Sequence, residues 1–206
     1  MNSSGGTPVA ATGTRERLLH AAAELIAEGG YATAAVVTIA ERAGLATGAL
    51  YRHFPSKAEL FVEVFRRVAE QELSAMYGAA QRYSSFQDRF EAVIRTYATR
   101  AFDNRHIAWA LVYEPVDPLV DAERLAYRRR YRDGMADLLR EGVETGSIPR
   151  QDVDLAAAAV VGAIAEALVG PLSPRSSTSS SETQIVAAIV DICGGAVGLS
   201  TRKSRP

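Results

Sequence analysis

Ile39-Ala40-Glu41-Arg42-Ala43-Gly44-Leu45-Ala46-Thr47-Gly48-Ala49-Leu50-Tyr51-Arg52-His53-Phe54-Pro55-Ser56-Lys57 is the stretch on which the fold turns. A short helical segment, 36–43, ends at Gly44, and a second, 47–53, begins a few residues later. Phe54-Pro55 stops it, because the residue before a proline is pushed out of the helical region. Two short helices joined by a glycine-containing turn make a helix-turn-helix pattern. At 100° per residue, Leu50 and Phe54 share one side of the second helix with Ala49 and His53 flanking, while Thr47, Gly48, Tyr51 and Arg52 form the other. The apolar side suits packing on the preceding helices. The outer side carries what a major-groove reader needs: a small tip, a hydroxyl, an aromatic ring and a guanidinium. Glycine inside a helix costs roughly 1 kcal/mol relative to alanine, a cost at Gly48 that close approach of a DNA backbone or base could justify. Lys57 falls in the first turn of the next helix, where free backbone amides and a lysine together suit a phosphate. Helical proteins that never touch DNA use the same geometry, with Tyr51 packing and His53 capping, so the motif alone leaves both readings open.

Working outward, apolar spacing predicts seven further helices. Toward the start, Leu18, Leu19, Ala22, Leu25 and Ile26 recur at helical spacing, with Thr14 as cap and Gly29-Gly30 as a left-handed exit. Residues 1–13, small and polar, read as a disordered tail. Toward the end, Ser56 and Glu59 box the start of a fourth helix that fades near Gly78, and Ser85 with Asp88 opens a fifth that runs to about Phe102. A sixth, 105–113, is apolar except at its ends. Asp117 and Pro118 start a seventh that reaches Thr145, and Asp152 caps an eighth that ends at Gly170-Pro171. After a serine-rich loop, 173–181, Ser181 and Gln184 box a ninth over 182–199, with Ile185, Ala188, Ile189, Ile192 and Ala196 on one face. A basic tail, 202–206, follows. No alternating strand of useful length occurs, and the expected fold class is all-α.

Composition agrees and excludes several functions. Of 206 residues, 36 are alanine, which favours helices, and 206 residues bury a sizeable core. With 23 basic against 24 acidic side chains, any nucleic-acid site must be a local patch. Cys193 is the sole cysteine, so no intrachain disulfide and no cysteine metal cage is available. The first fourteen residues hold neither charge nor an apolar core, so no secretory or transit signal is expected. The longest apolar run, 155–165, spans eleven residues and stops at Glu166, short of the roughly 18 a membrane span takes. A cytoplasmic protein without membrane contact is expected.

Gly29-Gly30-Tyr31, then Ile39-Ala40-Glu41-Arg42-Ala43-Gly44-Leu45, then Gly48-Ala49-Leu50-Tyr51-Arg52-His53-Phe54-Pro55-Ser56-Lys57-Ala58-Glu59-Leu60 stand in one further order. In sequence and spacing, residues 14–65, about a quarter of the chain, resemble the N-terminal DNA-binding domain of the TetR family of transcriptional regulators. The resemblance implies a nine-helix homodimeric regulator, usually a repressor released from operator DNA by a small-molecule effector. It implies a three-helix DNA-binding domain at 14–55 and a ligand-binding and dimerisation domain at 56–201. Carried onto matching positions, Thr47, Gly48 and Tyr51 face base edges, and Tyr51, His53 and Lys57 clamp phosphates, with both roles open for Arg52. Two departures stand out. Ala34 and Ala35 replace the Thr or Ser that usually begins the second helix, leaving its cap at Thr33 or lost. Ala46 replaces the usual Ser before the third helix, and Val37 occupies a position where some members carry a base-reading Arg, so direct readout should be sparse. Residues 15–57 hold five basic against four acidic side chains, so affinity must come from placement and dimer geometry.

In the second half, an aromatic set at helical spacing is more often core than pocket. The sixth helix, apolar on all sides, nevertheless suits the wall of a largely apolar cavity, and Phe90, Tyr97, Phe102, Trp109 and Tyr113 are the ligand-pocket candidates. The run Arg128-Arg129-Arg130 with Arg132 is balanced by acids of its own helix and reads as a solvated, salt-bridged face, with an anionic ligand group at Arg128 or Arg132 still open. Small residues dominate 152–170 and 182–199, which in the resembling family pair with their symmetry mates. An enzyme is not supported: His20, His53 and His106 have no metal spacing, and no phosphate loop or nucleophile elbow occurs. No catalytic residue, metal or cofactor is expected. The alternative to a regulator is a helical small-molecule-binding or interaction protein that does not bind DNA.

Overall fold

The computed structural model describes residues 13–174, 176 and 180–199. The tail expected at 1–13 falls outside them except for Gly13, as do the basic tail and part of the serine-rich loop. Among the described residues the fold is all-α: α1 (Thr14–Gly29), α2 (Val36–Arg42), α3 (Thr47–His53), α4 (Lys57–Ala80), α5 (Phe86–Asp103), α6 (Arg105–Val112), α7 (Pro118–Glu144), α8 (Val153–Leu172) and α9 (Glu182–Ala196).

The helix ends follow the capping residues with a few corrections. Ser56, Ser85, Asp117 and Asp152 each accept a backbone N–H of the first turn, and Ser181 with Gln184 completes a reciprocal capping box. Thr14 is the first residue of α1 rather than its cap, since Gly13 holds the cap position without a side-chain bond. Gly30 takes φ 82°, the expected left-handed exit. Thr33 does not cap α2: its hydroxyl turns back and donates to the carbonyls of Leu25, at 3.1 Å, and Gly30, at 2.9 Å. The N-terminus of α2 therefore has no side-chain cap. Helix α4 continues past Gly78, and α8 runs through Pro171, where a proline in the final turn removes only one late backbone bond.

Three clusters make the core. One joins α1, α2 and α3 with Leu60, Phe61 and Val64 of α4, and also takes Ala110 of α6 and Val120 of α7. A division after residue 55 therefore cuts through a single packed unit. The largest cluster lies among α5, the second half of α7, α8 and α9. A small one holds Phe65, Ala69 and Leu73 of α4 against Leu111 and Tyr127. Helix α4 runs through all three, reaching the largest at Ala80, and is the spine between the two ends of the molecule.

Helices α8 and α9 depart from expectation in one respect. The buried side of α9 is Val186, Ile189, Val190 and Cys193, while Ala188, Ala196 and Ile192 face outward, Ile192 being 63% exposed. The helix is apolar nearly all round, so spacing alone could not say which side α5 and α8 would cover. By length and composition α8 is also apolar enough to cross a membrane. The run of eleven residues understated it, because Glu166 interrupts the run without ending the helix.

Candidate functional site

The turn at Gly44, with φ 65°, sets α3 across α2. Around it the arginines are occupied by the protein itself. Arg17 donates to the carbonyls of Ala43 and Gly44, Arg42 grips Glu28 with two bonds of 2.7 and 2.9 Å, and Arg15 pairs with Glu63 at 2.9 Å. The recognition face is different. Arg52 and His53 are exposed and make no hydrogen bond or ion pair among the described residues, and Tyr51 is 55% exposed. Val37 of α2 stands exposed beside this face, while Ala49, Leu50 and Phe54 are buried as expected. Thr47 and Gly48 form the tip, and a Cβ built at Gly48 meets nothing within 4 Å. Contrast Gly142, whose added Cβ would sit 2.5 Å from the Phe86 ring. Packing within the chain demands glycine at 142 but not at 48, so the fold itself gives no reason for the cost at Gly48.

Lys57 is placed otherwise than the sequence suggested. Its ammonium lies 4.6 Å over the Tyr31 ring and 5.2 Å from that of Phe61, partly buried, and desolvation lowers its pKa. Burial against the rings turns it toward the seam between α1 and α4 rather than outward with Arg52.

A cavity of about 340 Å³ opens among α4 to α8. Helix α4 lines it with Phe65, Val68, Glu72 and Met76, α5 with Ile94, Tyr97 and Arg100, and α8 with Val161, Ile164 and Ala165. From α6 come Ile107, Ala108, Leu111 and Val112, and from α7 Arg124, Leu125, Arg128 and Tyr131. The wall is mostly apolar. Arg100 and Glu72 neutralise each other through bonds of 2.6 and 2.8 Å, whereas Arg128 is exposed and unpaired among the described residues. The Tyr97 hydroxyl also has no hydrogen-bond partner among them, and burial pushes its pKa up to about 12. Among the described residues the cavity thus offers an apolar body site with one free cation and one neutral hydroxyl.

Of the five aromatic candidates the cavity is bordered by Tyr97 alone. Phe90 and Phe102 are core residues, 0% and 7% exposed. Trp109 of α6 and Tyr113, its C-cap residue, meet in a tilted pair with ring centroids 5.3 Å apart, away from the cavity wall, and the Tyr113 hydroxyl donates to the Ala165 carbonyl. An apolar helix gives no bearing by spacing, and α6 turns Ile107, Ala108, Leu111 and Val112 to the cavity instead. Of the two arginines open to an anionic ligand group, Arg128 lines the cavity and Arg132 does not, whereas neither Arg124 nor the aliphatic wall of α6 is singled out by aromatic spacing. Arg132 pairs with its neighbour Asp133 at 3.1 Å, and Arg130 with Glu70 of α4. No group of three or more His, Cys, Asp or Glu that would hold a metal occurs among the described residues.

Comparison with known proteins follows the same two halves. Residues 18–64 match the family described as bacterial regulatory proteins, tetR family, and residues 83–168 match the tetracyclin repressor-like C-terminal domain. The HTH-type transcriptional repressor KstR2 of Rhodococcus jostii is 32% identical over 148 residues, covering 70% of this chain and 72% of that one. The fatty acid degradation regulator FadR of Bacillus halodurans superposes with a TM-score of 0.76 at 19% identity, over 98% of this chain and 100% of the other. FadR of Bacillus subtilis, solved in complex with stearoyl-CoA, has a TM-score of 0.73 at 21% identity, covering 88% of this chain and 98% of that one.

Proposed function

The chain belongs to the tetR family of bacterial regulatory proteins and is a ligand-responsive transcriptional repressor, not an enzyme, and we propose how its own residues carry out that role. Thr47, Gly48 and Tyr51 meet base edges and sugar-phosphate in the major groove, with Arg52 and His53 on the flanking phosphates and the α4 amides at Lys57 holding a further phosphate. The observation that carries this reading is the recognition face itself: its polar side chains are unpaired among the described residues, while the neighbouring Arg15, Arg17 and Arg42 are spent on the fold.

The effector reading rests on the cavity. An apolar wall with Arg128 free at its edge suits an amphiphile with an apolar body and an anionic or strongly accepting group. The stearoyl-CoA held by the similar Bacillus subtilis regulator has that chemistry, which makes it the first probe to try.

Two copies are needed because recognition helices enter successive major grooves about 34 to 36 Å apart. The dimer surface in this reading is the outward side of α8 and α9, where Leu155, Gly162, Ala188 and Ile192 are exposed together. An apolar stripe of small residues lets a symmetry mate approach closely. Asp154 and Glu166, exposed on α8, fit a protein partner in the cytoplasm better than lipid. The test is an electrophoretic shift with DNA from upstream of the protein's own gene. A specific shift that stearoyl-CoA reverses is expected; binding no tighter than to random DNA would overturn the reading.

A further inference from the structure

Arg124 belongs to the cavity wall and also to the joint between the two ends of the molecule. Its side chain is only 14% exposed. The guanidinium donates to three carbonyls at the end of α6: Leu111 at 2.6 Å, Ala110 at 2.6 Å and Glu114 at 2.8 Å. Ala110 and Leu111 are among the last carbonyls of α6, which a helix leaves without an internal partner, and Glu114 follows just beyond its end.

Glu114, held by that guanidinium through its own carbonyl, sends its carboxylate across to the turn between α1 and α2. There it accepts the backbone N–H of Tyr31 at 2.8 Å and that of Ala32 at 3.2 Å. The turn is shaped to receive it: a Cβ at Gly30 would lie 2.9 Å from the carboxylate, besides being strained at φ 82°. The Tyr31 ring meets Phe61 edge-on at 4.4 Å and carries the Lys57 ammonium above it. A second bond, from His106 at the start of α6 to the Ala27 carbonyl at 2.8 Å, holds the same two elements together. One continuous set of polar contacts therefore leads from the cavity to the turn that precedes α2 and α3.

We propose that Glu114 is a positioning residue for the DNA-reading helices and that Arg124 is the cavity residue that sets it. The three carbonyls are neutral acceptors and the carboxylate beside the guanidinium, that of Asp121, stands off at 3.7 Å, so an anionic group in the cavity offers the guanidinium a shorter, charge-assisted bond. Drawing Arg124 away frees the end of α6, slackens Glu114 and loosens the α1–α2 turn. This rests on the reading of the cavity as the effector site, but the mechanical link from Arg124 to Tyr31 can be measured without any effector.

The measurement is backbone amide exchange in the full-length, DNA-free protein. Glu114→Ala should speed exchange at Tyr31 and Ala32 about tenfold, as expected for loss of a charge-assisted hydrogen bond. Arg124→Met, which touches neither amide, should speed the same two, and the double variant should add little more, because both act through one link. Exchange at Ile189 and Val190 of α9, buried in the largest cluster and outside the cavity wall, should stay unchanged in all three, which separates a local release from general loosening. Unchanged exchange at Tyr31 and Ala32 in Arg124→Met, equal acceleration at Ile189, or full additivity would each overturn the proposal. Operator binding by the wild-type protein is measured alongside. Its absence would sink the functional reading, while the exchange result still decides the link.

Discussion

Helices α3 and α6 are nearly the same length, seven and eight residues, and do opposite work. Helix α3 buries one side against α1 and α2 and leaves the other polar, exposed and without hydrogen-bond or ion-pair partners among the described residues. Helix α6 leaves almost nothing free: Ala110 enters the core of the DNA-reading end, Leu111 faces the cavity, and Trp109 and Tyr113 lean on α8. One helix ends in solvent as a reader; the other is enclosed and passes displacement on. An unsatisfied polar face and a helix packed on several sides are thus the physical marks of the two roles.

The contrast predicts that the reader works only in pairs whereas the cavity is complete in one chain. Gly162→Arg is the severest test, since a Cβ built there meets nothing within 4 Å among the described residues and the outward side chain is placed to obstruct a second copy. The variant should be a folded monomer by light scattering, with operator affinity lower by several orders of magnitude and stearoyl-CoA binding unchanged. A dimeric Gly162→Arg protein would remove α8 from the interface.

Tyr51→Ala comes next. It should weaken specific operator binding by about 1 to 3 kcal/mol, roughly 5- to 150-fold, and non-specific binding less. Equal losses on operator and random DNA would mean that Tyr51 touches only the backbone. The smallest expected effect is that of Lys57→Ala. If the α4 terminus binds one phosphate with help from the ammonium, affinity should fall for every sequence alike and the salt dependence should flatten by at most about one unit of slope. Losses confined to some operator variants would contradict a phosphate contact.

How legible the two helices were in the sequence differs for the same reason. Phe54-Pro55, Gly44 and the alternation of Leu50 with Tyr51 fix both the ends and the bearing of α3, because a helix with one wet side has a direction that spacing can express. Helix α6 was placed correctly between Asn104 and Pro115, but its bearing was not, because apolar residues all round carry no phase. The same loss of phase misplaced Ile192 on α9. The acceptors that join the ends of the molecule were also hidden: Glu114 reads as an acid at a helix end, and only the fold brings it to Tyr31, 83 positions away. The glycine pair before Tyr31 was the one local sign of it, since Gly30 serves both the turn and the close carboxylate.

The central claim is that filling the cavity and reading DNA oppose each other through α6. Trp109, the single tryptophan, sits on α6 outside the cavity wall and should report the movement of that helix by its fluorescence. Stearoyl-CoA is titrated into the protein alone and into the protein saturated with operator. Coupling of about 1 to 3 kcal/mol predicts that operator weakens stearoyl-CoA binding by the same factor, roughly 5- to 150-fold, by which stearoyl-CoA weakens operator binding. Equal stearoyl-CoA affinity with and without operator would contradict it.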